Sequence, residues 1–364
     1  RPPARENLAR AIEGANALHA GIKISVDIPA GASDGSPNSP VFRADATYAT
    51  GIAKAALFEK FNREYAGRIR LVDIGFFEGR DWPSQRFIIS ESISEPLKKL
   101  RPSVSDKRGY GHAFVLAGSR QYPGAALMNV KAALRSGAGL VTAFVPETFA
   151  PQFAAAEPSA IWVGCPEDEN GAIALESYGL IRSRIGKANA LLAGSGITAS
   201  AETAALVRQI LSDFPELPAV LDADAITKQT MDALKGRPAP SIATPHEGEF
   251  LRIAKDASDK SLAETCGEYG FAILLKSSAT RSCSDGHIVY STRGGPILSR
   301  GGSGDILAGL CCGIVASKKF PSPALAALCA SDWWGRAAEL AARELGETAV
   351  ATSDIIKFLP GALL

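Results

Sequence analysis

Short runs of consecutive apolar residues alternate along this chain with longer stretches of helical period. The strand-length runs are Ile22–Asp27, Ala46–Thr50, Ile69–Ile74, Ala113–Ala117, Leu140–Val145, Ala190–Ala193, Ala219–Leu221, Ala272–Leu275 and Ile288–Tyr290. Several are apolar at successive positions, the pattern of strands covered on both faces. Between them the periodicity predicts helices at Ala125–Ser136, Ala201–Phe214, Glu247–Ile253, Ser261–Tyr269, Ile306–Ala316 and Ala324–Leu345, the last rich in Ala, Leu, Glu and Arg. Such alternation predicts an α/β protein with an open, mostly parallel sheet, helices on both of its faces, and binding sites at the carboxyl ends of its strands.

The rhythm breaks between Phe76 and Gly109, where polar residues, Pro83, Pro102 and the charged stretch Lys98-Lys99-Leu100-Arg101 collect. A domain boundary is expected there, with a first unit at 1–80, a linker at 81–106 and a second domain at 107–364. With 364 residues, 46% hydrophobic and 21% charged, the chain is long enough for one large domain and a smaller one. Its formal net charge of +1, with no long run of either sign, speaks against a nucleic-acid or membrane-surface role, so any anion selectivity must be local. The six cysteines have no C-x-x-C spacing and read as buried thiols of a reducing compartment. The longest apolar segment, Ile306–Ala316, is too short for a membrane span. The opening Arg-Pro-Pro-Ala-Arg-Glu lacks the layout of a signal peptide and an initiator Met, so the expectation is a cytoplasmic protein that is a fragment or processed product.

Five segments sit where a strand ends and a loop begins, and a sixth opens a helix. Gly301-Gly302-Ser303-Gly304-Asp305 runs straight into the apolar helix Ile306–Ala316. Its glycines let backbone N–H groups turn inward at a helix N-terminus, which favours an anion, and the carboxylate beside that anion is suited to act as a base. Taken alone, the loop is also compatible with an ordinary tight turn. Ala117–Ala125 and Ala193–Ala199 are small-residue loops that let a ligand approach main chain; Gly194-Ser195-Gly196 also fits a loose dinucleotide fingerprint, with Asp222 as ribose partner and the third glycine missing. Asp222 and Asp224 fit equally a site near a metal or the cap of a following helix. Pro245 biases Thr244 towards extended geometry and presents His246 at a strand exit, with Glu249 one turn behind it. Lys276-Ser277-Ser278-Ala279-Thr280 supplies a point charge and hydroxyl donors suited to phosphate oxygens, or a plain polar hairpin turn. No zinc spacing and no Walker loop occur, and the string Gly31-Ala32-Ser33-Asp34-Gly35 runs into Ser36-Pro37-Asn38 rather than a helix, unlike a hydrolase elbow.

The five strand-end segments, in their order along the chain and ending in Gly-Gly-Ser-Gly-Asp, resemble the NAD(P)H-hydrate dehydratase family, a branch of the ribokinase-like fold. The likeness includes Tyr110-Gly111-His112, Gly118-Ser119, Tyr122-x-Gly124-Ala125, the run Ala132–Thr142, Leu221–Ala225, Thr244-Pro245-His246 and the Asp305 loop, and extends from Lys107 to Leu364. The first unit resembles the last third of an NAD(P)H-hydrate epimerase domain, a partial Rossmann-like α/β unit, through Ser25–Gly31, Arg43–Thr47, Ala66-Gly67-Arg68 and Val72–Gly75. That resemblance implies that the epimerase's Asn- and Gly-rich nucleotide motif would precede Arg1. Asp27 then matches the epimerase's catalytic or substrate-binding Asp, and Ala30 stands where that family usually carries Ser near a monovalent cation.

The resemblance implies nucleotide-dependent dehydration of the (S)-hydrates of NADH and NADPH (NADHX and NADPHX), through a phosphorylated intermediate. The donor is ADP or ATP, with ADP favoured, together with Mg²⁺. By the same carry-over Asp305 is the catalytic base, and Ala125, Gly196, His246 and Asp305 bind the hydrate. Lys276, Ser277, Ser278, Ala279, Thr280, Gly302, Ser303 and Gly304 bind nucleotide phosphates, Glu249 meets Mg²⁺ through water, and a homo-oligomer is implied. Three motifs depart from the family. Its Lys-Gly-x-x-Thr is here Lys276-Ser277-Ser278-Ala279-Thr280, its Gly-Pro-Gly is Gly194-Ser195-Gly196, and its His-Pro-Gly-Glu is His246-Glu247-Gly248-Glu249. A Ser277 held at positive φ would be strained by about 1 kcal/mol. Competing readings are a small-molecule kinase of the same fold and a catalytically silent binding protein.

Overall fold

The computed structural model describes residues 6–35, 40–75 and 84–364 and divides into two compact units, Arg1–Ser84 and Gln85–Leu364. The smaller carries helix α1 (Glu6–Ala17), strands β1 (Ile24–Val26) and β2 (Ala46–Thr50), a single helical turn α2 (Arg63–Ala66) and strand β3 (Arg68–Val72). Its three strands form a parallel sheet in the order β1-β2-β3. Ala49, Leu57, Ala66 and Ile69 make its small apolar core.

The larger unit opens with β4 (Arg86–Ile88), α3 (Glu95–Lys98), β5 (His112–Leu116), α4 (Pro123–Arg135), β6 (Leu140–Pro146), α5 (Ala150–Ala156) and β7 (Ile161–Cys165). Next come α6 (Ser177–Ile185), β8 (Ala190–Ala193), α7 (Ala201–Asp213), β9 (Ala219–Leu221), α8 (Lys228–Leu234), β10 (Ser241–Ala243) and α9 (Glu247–Phe250). It closes with α10 (Asp259–Tyr269), β11 (Ala272–Leu275), β12 (Arg281–Ser284), β13 (His287–Tyr290), α11 (Ser303–Ser317), α12 (Pro323–Leu345) and α13 (Thr352–Leu363).

Its strands form one open sheet in the order β4-β13-β12-β11-β10-β9-β8-β5-β6-β7. Every pairing is parallel except those of β12, which runs against both β11 and β13. The chain leaves β5 towards β6 and β7, then returns to place β8 on the other side of β5. The β5/β8 boundary is therefore the switch point, outside whose carboxyl ends a crevice must open.

Alternate strand residues, such as Ala113, Val115, Leu192, Val220, Ile242 and Leu274, join α4, α11, α12 and α13 in one continuous core. The intervening residues, Phe114, Leu116, Leu191, Leu221 and Ile273, are also buried, so the opposite face is covered too. There α10 packs on β11–β13, and α8 and α7 continue the layer. Burial on both faces is the physical reason these strands read as unbroken apolar runs.

Two expectations change. The stretch expected as a linker is in part structured: residues 81–83 lie outside the described ones, but β4 pairs in parallel with β13 and α3 follows it. The short sequence Arg-Phe-Ile has no apolar run to announce it, and only the open edge of β13 makes it a strand. The strands β7, β10 and β12 were likewise not predicted, because they are short or carry Gly or polar residues (Ile-Trp-Val-Gly-Cys, Ser-Ile-Ala, Arg-Ser-Cys-Ser) and owe their pairing to neighbours. All six cysteines are buried free thiols. Among the described residues no helix is long and apolar enough to cross a membrane.

Candidate active site

The crevice at the switch point is closed by two loops that touch. The Gly118 N–H donates to the Ser195 carbonyl at 2.9 Å, joining the β5–α4 loop to the β8–α7 loop. Gly194, at φ +131°, lies so close to the next strand exit that a Cβ would stand 1.8 Å from the Asp222 carbonyl. Only glycine fits there, which explains this Gly-Ser-Gly turn by packing. Gly196 packs on Ala125 and Tyr122, where an added Cβ would come within 2.8 Å of the Ala125 Cβ. Two of the expected substrate-contacting residues are thus neighbours, although they are 71 positions apart in sequence.

At the centre stands Lys276, at the end of β11, with its side chain turned inward. Its Nζ meets Asp222 Oδ1 at 2.7 Å and Glu249 Oε2 at 4.0 Å. Burial opposes the ammonium, but the charges of Asp222 and Glu249 outweigh it and hold its pKa above the ordinary lysine value. Asp222 also accepts Thr244 Oγ1 at 2.8 Å and Ser195 Oγ at 3.0 Å, so both its oxygens are engaged. Asp224 turns the other way, towards Arg252 at 3.7 Å. The two carboxylates that looked equivalent in sequence are separated by Ala223 at φ +48°.

Asp305 is the third residue of α11, whose cap Gly302 adopts φ +82°. This left-handed turn aims the first N–H groups of the helix outward. The Ser303 N–H returns to the Arg300 carbonyl and that of Ile306 to Gly302, which leaves Gly304 and Asp305 without a helical acceptor. The Asp305 carboxyl is pushed up to about 7, first by burial and then by Asp222, with Lys276 pulling it down and Glu249 adding to the rise. A carboxyl poised near neutrality suits proton abstraction. Gly304 completes the cradle, since a Cβ there would stand 3.0 Å from Lys276 Nζ.

His246 and Glu249 cap α9 reciprocally. The His246 N–H donates to Glu249 Oε2 at 2.8 Å, while His246 Nδ1 accepts from Gly248 and Glu249 N–H groups at 2.9 and 3.3 Å. The histidine ring stays mostly exposed, and the glutamate is buried. His246 and Lys276 also form an isolated parallel bridge, with Lys276 N–H on the Pro245 carbonyl at 2.7 Å.

The loop Lys276–Thr280 is the tip of the β11–β12 hairpin. Ser277 Oγ donates to the Ala279 carbonyl at 2.8 Å and accepts the Ala279 N–H at 3.2 Å, while Thr280 Oγ1 donates to the Ser277 carbonyl at 3.3 Å. Ser277 is not among the positive-φ residues, so the strain its substitution for glycine suggested is absent. Ser303 directs its hydroxyl to the Leu298 carbonyl at 2.5 Å and its N–H to the Arg300 carbonyl, so both of its donors are engaged within the protein. In the smaller unit Asp27, at φ +70°, accepts Thr50 Oγ1 at 3.1 Å and pairs with Lys54, whose hydrogen bond holds its carboxyl below the usual range.

One participant escaped the sequence reading. Asn129 lies fully buried in α4 and donates to the Asp305 carbonyl at 2.7 Å and to Ser195 Oγ at 3.1 Å. Its only sequence signal is an amide on an otherwise apolar helix stripe.

Residues 113–361 match the NAD(P)H-hydrate dehydratase family. The chain belongs to the NAD(P)H-hydrate dehydratase family. A bifunctional NAD(P)H-hydrate repair enzyme of Gloeobacter violaceus is 34% identical over 331 residues, covering 86% of this chain and 63% of its own length. This chain therefore spans less than two thirds of that relative. An ADP-dependent (S)-NAD(P)H-hydrate dehydratase of Cenarchaeum symbiosum is 31% identical over 282 residues, covering 74% of this chain and 95% of its own. Among solved structures, the ADP/ATP-dependent NAD(P)H-hydrate dehydratase of Bacillus subtilis, co-crystallised with ATP and Mg²⁺, superposes with a TM-score of 0.64 at 26% identity, covering 76% of this chain and 97% of that one. A ribokinase-like superfamily protein of Enterococcus faecalis gives 0.66 at 25% identity, covering 78% and 97%.

Proposed function

We propose that this chain dehydrates the (S)-hydrates of NADH and NADPH, returning them to the reduced nicotinamides, with ADP preferred over ATP as phosphoryl donor. The observation that carries the reading is the Asp305 carboxyl, half-charged near pH 7 at the N-terminus of α11, beside a buried lysine. Hydroxide is a poor leaving group at neutral pH, and a phosphorylated hydroxyl is a good one. The nucleotide supplies the phosphoryl group when bound. Asp305 takes the proton of the ring hydroxyl, and the N–H groups of Gly304 and Asp305, with that of Gly302, favour the charge on the transferring phosphoryl oxygens. Lys276 keeps the carboxylate cluster from repelling that phosphate outright. The loop of Ser277, Ser278, Ala279 and Thr280 is assigned to the donor's phosphates, which would replace the hairpin's own hydroxyl bonds, and Ala125, Gly196 and His246 to the hydrate.

Among the described residues no three His, Cys, Asp or Glu side chains are grouped to hold a metal ion. Glu249 is already engaged by the His246 N–H and lies near Lys276. These residues do not fit a protein-held Mg²⁺. An ion carried in by nucleotide phosphates would meet Glu249 through its water alone. The test is incubation with enzymatically hydrated NADH and either nucleotide, following recovery of reduced-nicotinamide absorbance. Recovery is expected, faster with ADP; no recovery with either overturns the assignment, and accumulation of a stable phosphorylated hydrate would instead identify a kinase.

A further inference from the structure

Helices α4 and α11 meet at backbone distance. A Cβ at Gly309 would stand 2.3 Å from the Asn129 carbonyl, and one at Gly313 would stand 1.9 Å from the Ser136 hydroxyl. The two glycines let the helices approach more closely than larger side chains allow, and that approach brings Asn129 against the first turn of α11. Its Nδ2 donates to the main-chain oxygen of Asp305 at 2.7 Å and to Ser195 Oγ at 3.1 Å. A carbonyl can only accept, so the first bond fixes which end of the amide is nitrogen. Ser195, having accepted from Asn129, donates its own proton to Asp222 Oδ2 at 3.0 Å, and Asp222 holds Lys276.

We propose that Asn129 and Ser195 are positioning residues: they tie the backbone of Asp305 to the Asp222–Lys276 pair, so that base, lysine and the Gly194–Gly196 loop hold one arrangement. This rests on Asp305 being the base. Stability alone does not account for Asn129. Its Oδ1 is buried without a partner, a cost that an apolar residue at this core position would avoid. Ser195 stands where the family resemblance leads one to expect proline, which has no hydroxyl to pass the bond on.

Steady-state kinetics of Asn129→Ala, Ser195→Ala, Ser195→Thr and the double alanine variant test this. Each alanine variant is expected to lose about tenfold or more in kcat, with KM for hydrate and nucleotide within about twofold, because a misplaced base costs rate rather than affinity. Ser195→Thr keeps the hydroxyl and should retain most of kcat. The double variant should be no slower than the slower single one, since both break the same chain. Unchanged kcat in Ser195→Ala, or losses that multiply in the double variant, would overturn the proposal. If Asp305→Asn turns over normally, the base assignment itself fails; if it is inactive while both alanine variants are normal, only the positioning role fails.

Discussion

Asp305 sits among groups that pull its proton in opposite directions. Burial and the carboxylates of Asp222 and Glu249 favour the neutral acid, Lys276 favours the anion, and the balance lies at about 7. The rate at subsaturating substrate should therefore rise with pH through about 7 as the base loses its proton, which a kcat/KM profile checks. Asp305→Asn should lower kcat by about 10²–10⁴-fold while nucleotide affinity changes little, because the N–H cradle survives and the base does not. An equal loss of nucleotide affinity, measured calorimetrically, would place Asp305 in binding instead. The same residue links to stability. Its folded pKa lies above its ordinary value of 3.8, so the charged form is disfavoured by folding, and stability falls as pH rises from about 4 through 7. Asp305→Asn should accordingly melt higher than the parent at pH 8, with the gain shrinking towards pH 4. The place of Asp305 at the start of a helix was readable from its Gly-rich approach. The role of Asn129 was not, because its partners, Ser195 and Asp305, lie 66 and 176 positions away.

Elements place these residues by their ends rather than their middles. Helix α11 was legible as an apolar segment, and its start extends back to Ser303 because Gly302 adopts the left-handed conformation that turns the chain into it. Gly302→Ala should destabilise by about 1–2 kcal/mol through that positive φ, read from a denaturant midpoint. The β11–β12 hairpin teaches the opposite lesson. A glycine-to-serine departure suggested strain at Ser277, yet the loop holds Ser277 without positive φ and uses its hydroxyl to bridge Ala279 twice. Ser277→Gly, which would restore the family's residue, is expected to lower stability by about 0.5–1 kcal/mol, since it frees the unfolded chain and removes the bridge. A rise in the midpoint would show that strain was present. Helix α9 was expected to run on to Ile253 but is a single turn, Glu247–Phe250, and its reciprocal cap engages His246 Nδ1 and Glu249 Oε2.

For the whole molecule, the order of strands decides where chemistry can occur. The reversal between β5 and β8 opens the crevice, and residues from α4, β8, β9, β10, β11 and α11 converge on it. The domain division has a testable consequence at β4. We place the start of the larger unit at residue 85 rather than 107, because β4 covers the edge of β13. A fragment 85–364 should melt higher and stay more soluble than a fragment 107–364, whose β13 edge would be unpaired, as differential scanning and light scattering would record. Equal behaviour of the two would return residues 85–106 to the role of a linker.

Local sequence alone determined the class of this fold. Strands buried on both faces must be apolar at every position, and helices between them must show a 3.6-residue period, so the α/β alternation and the Gly-rich turn before α11 were written in adjacent residues. The family likeness likewise followed from motif order. The tertiary structure decided which carboxylate faces inward, that Lys276 is held by Asp222 within the cluster, that Glu249 is committed to a helix cap, and that Asn129 reaches the main chain of Asp305. The physical reason is distance along the chain. A charge or hydrogen-bond donor acts within a few ångströms, and only strand order, close helix contacts at glycine and a left-handed turn bring residues 129, 195, 222, 276 and 305 within that range.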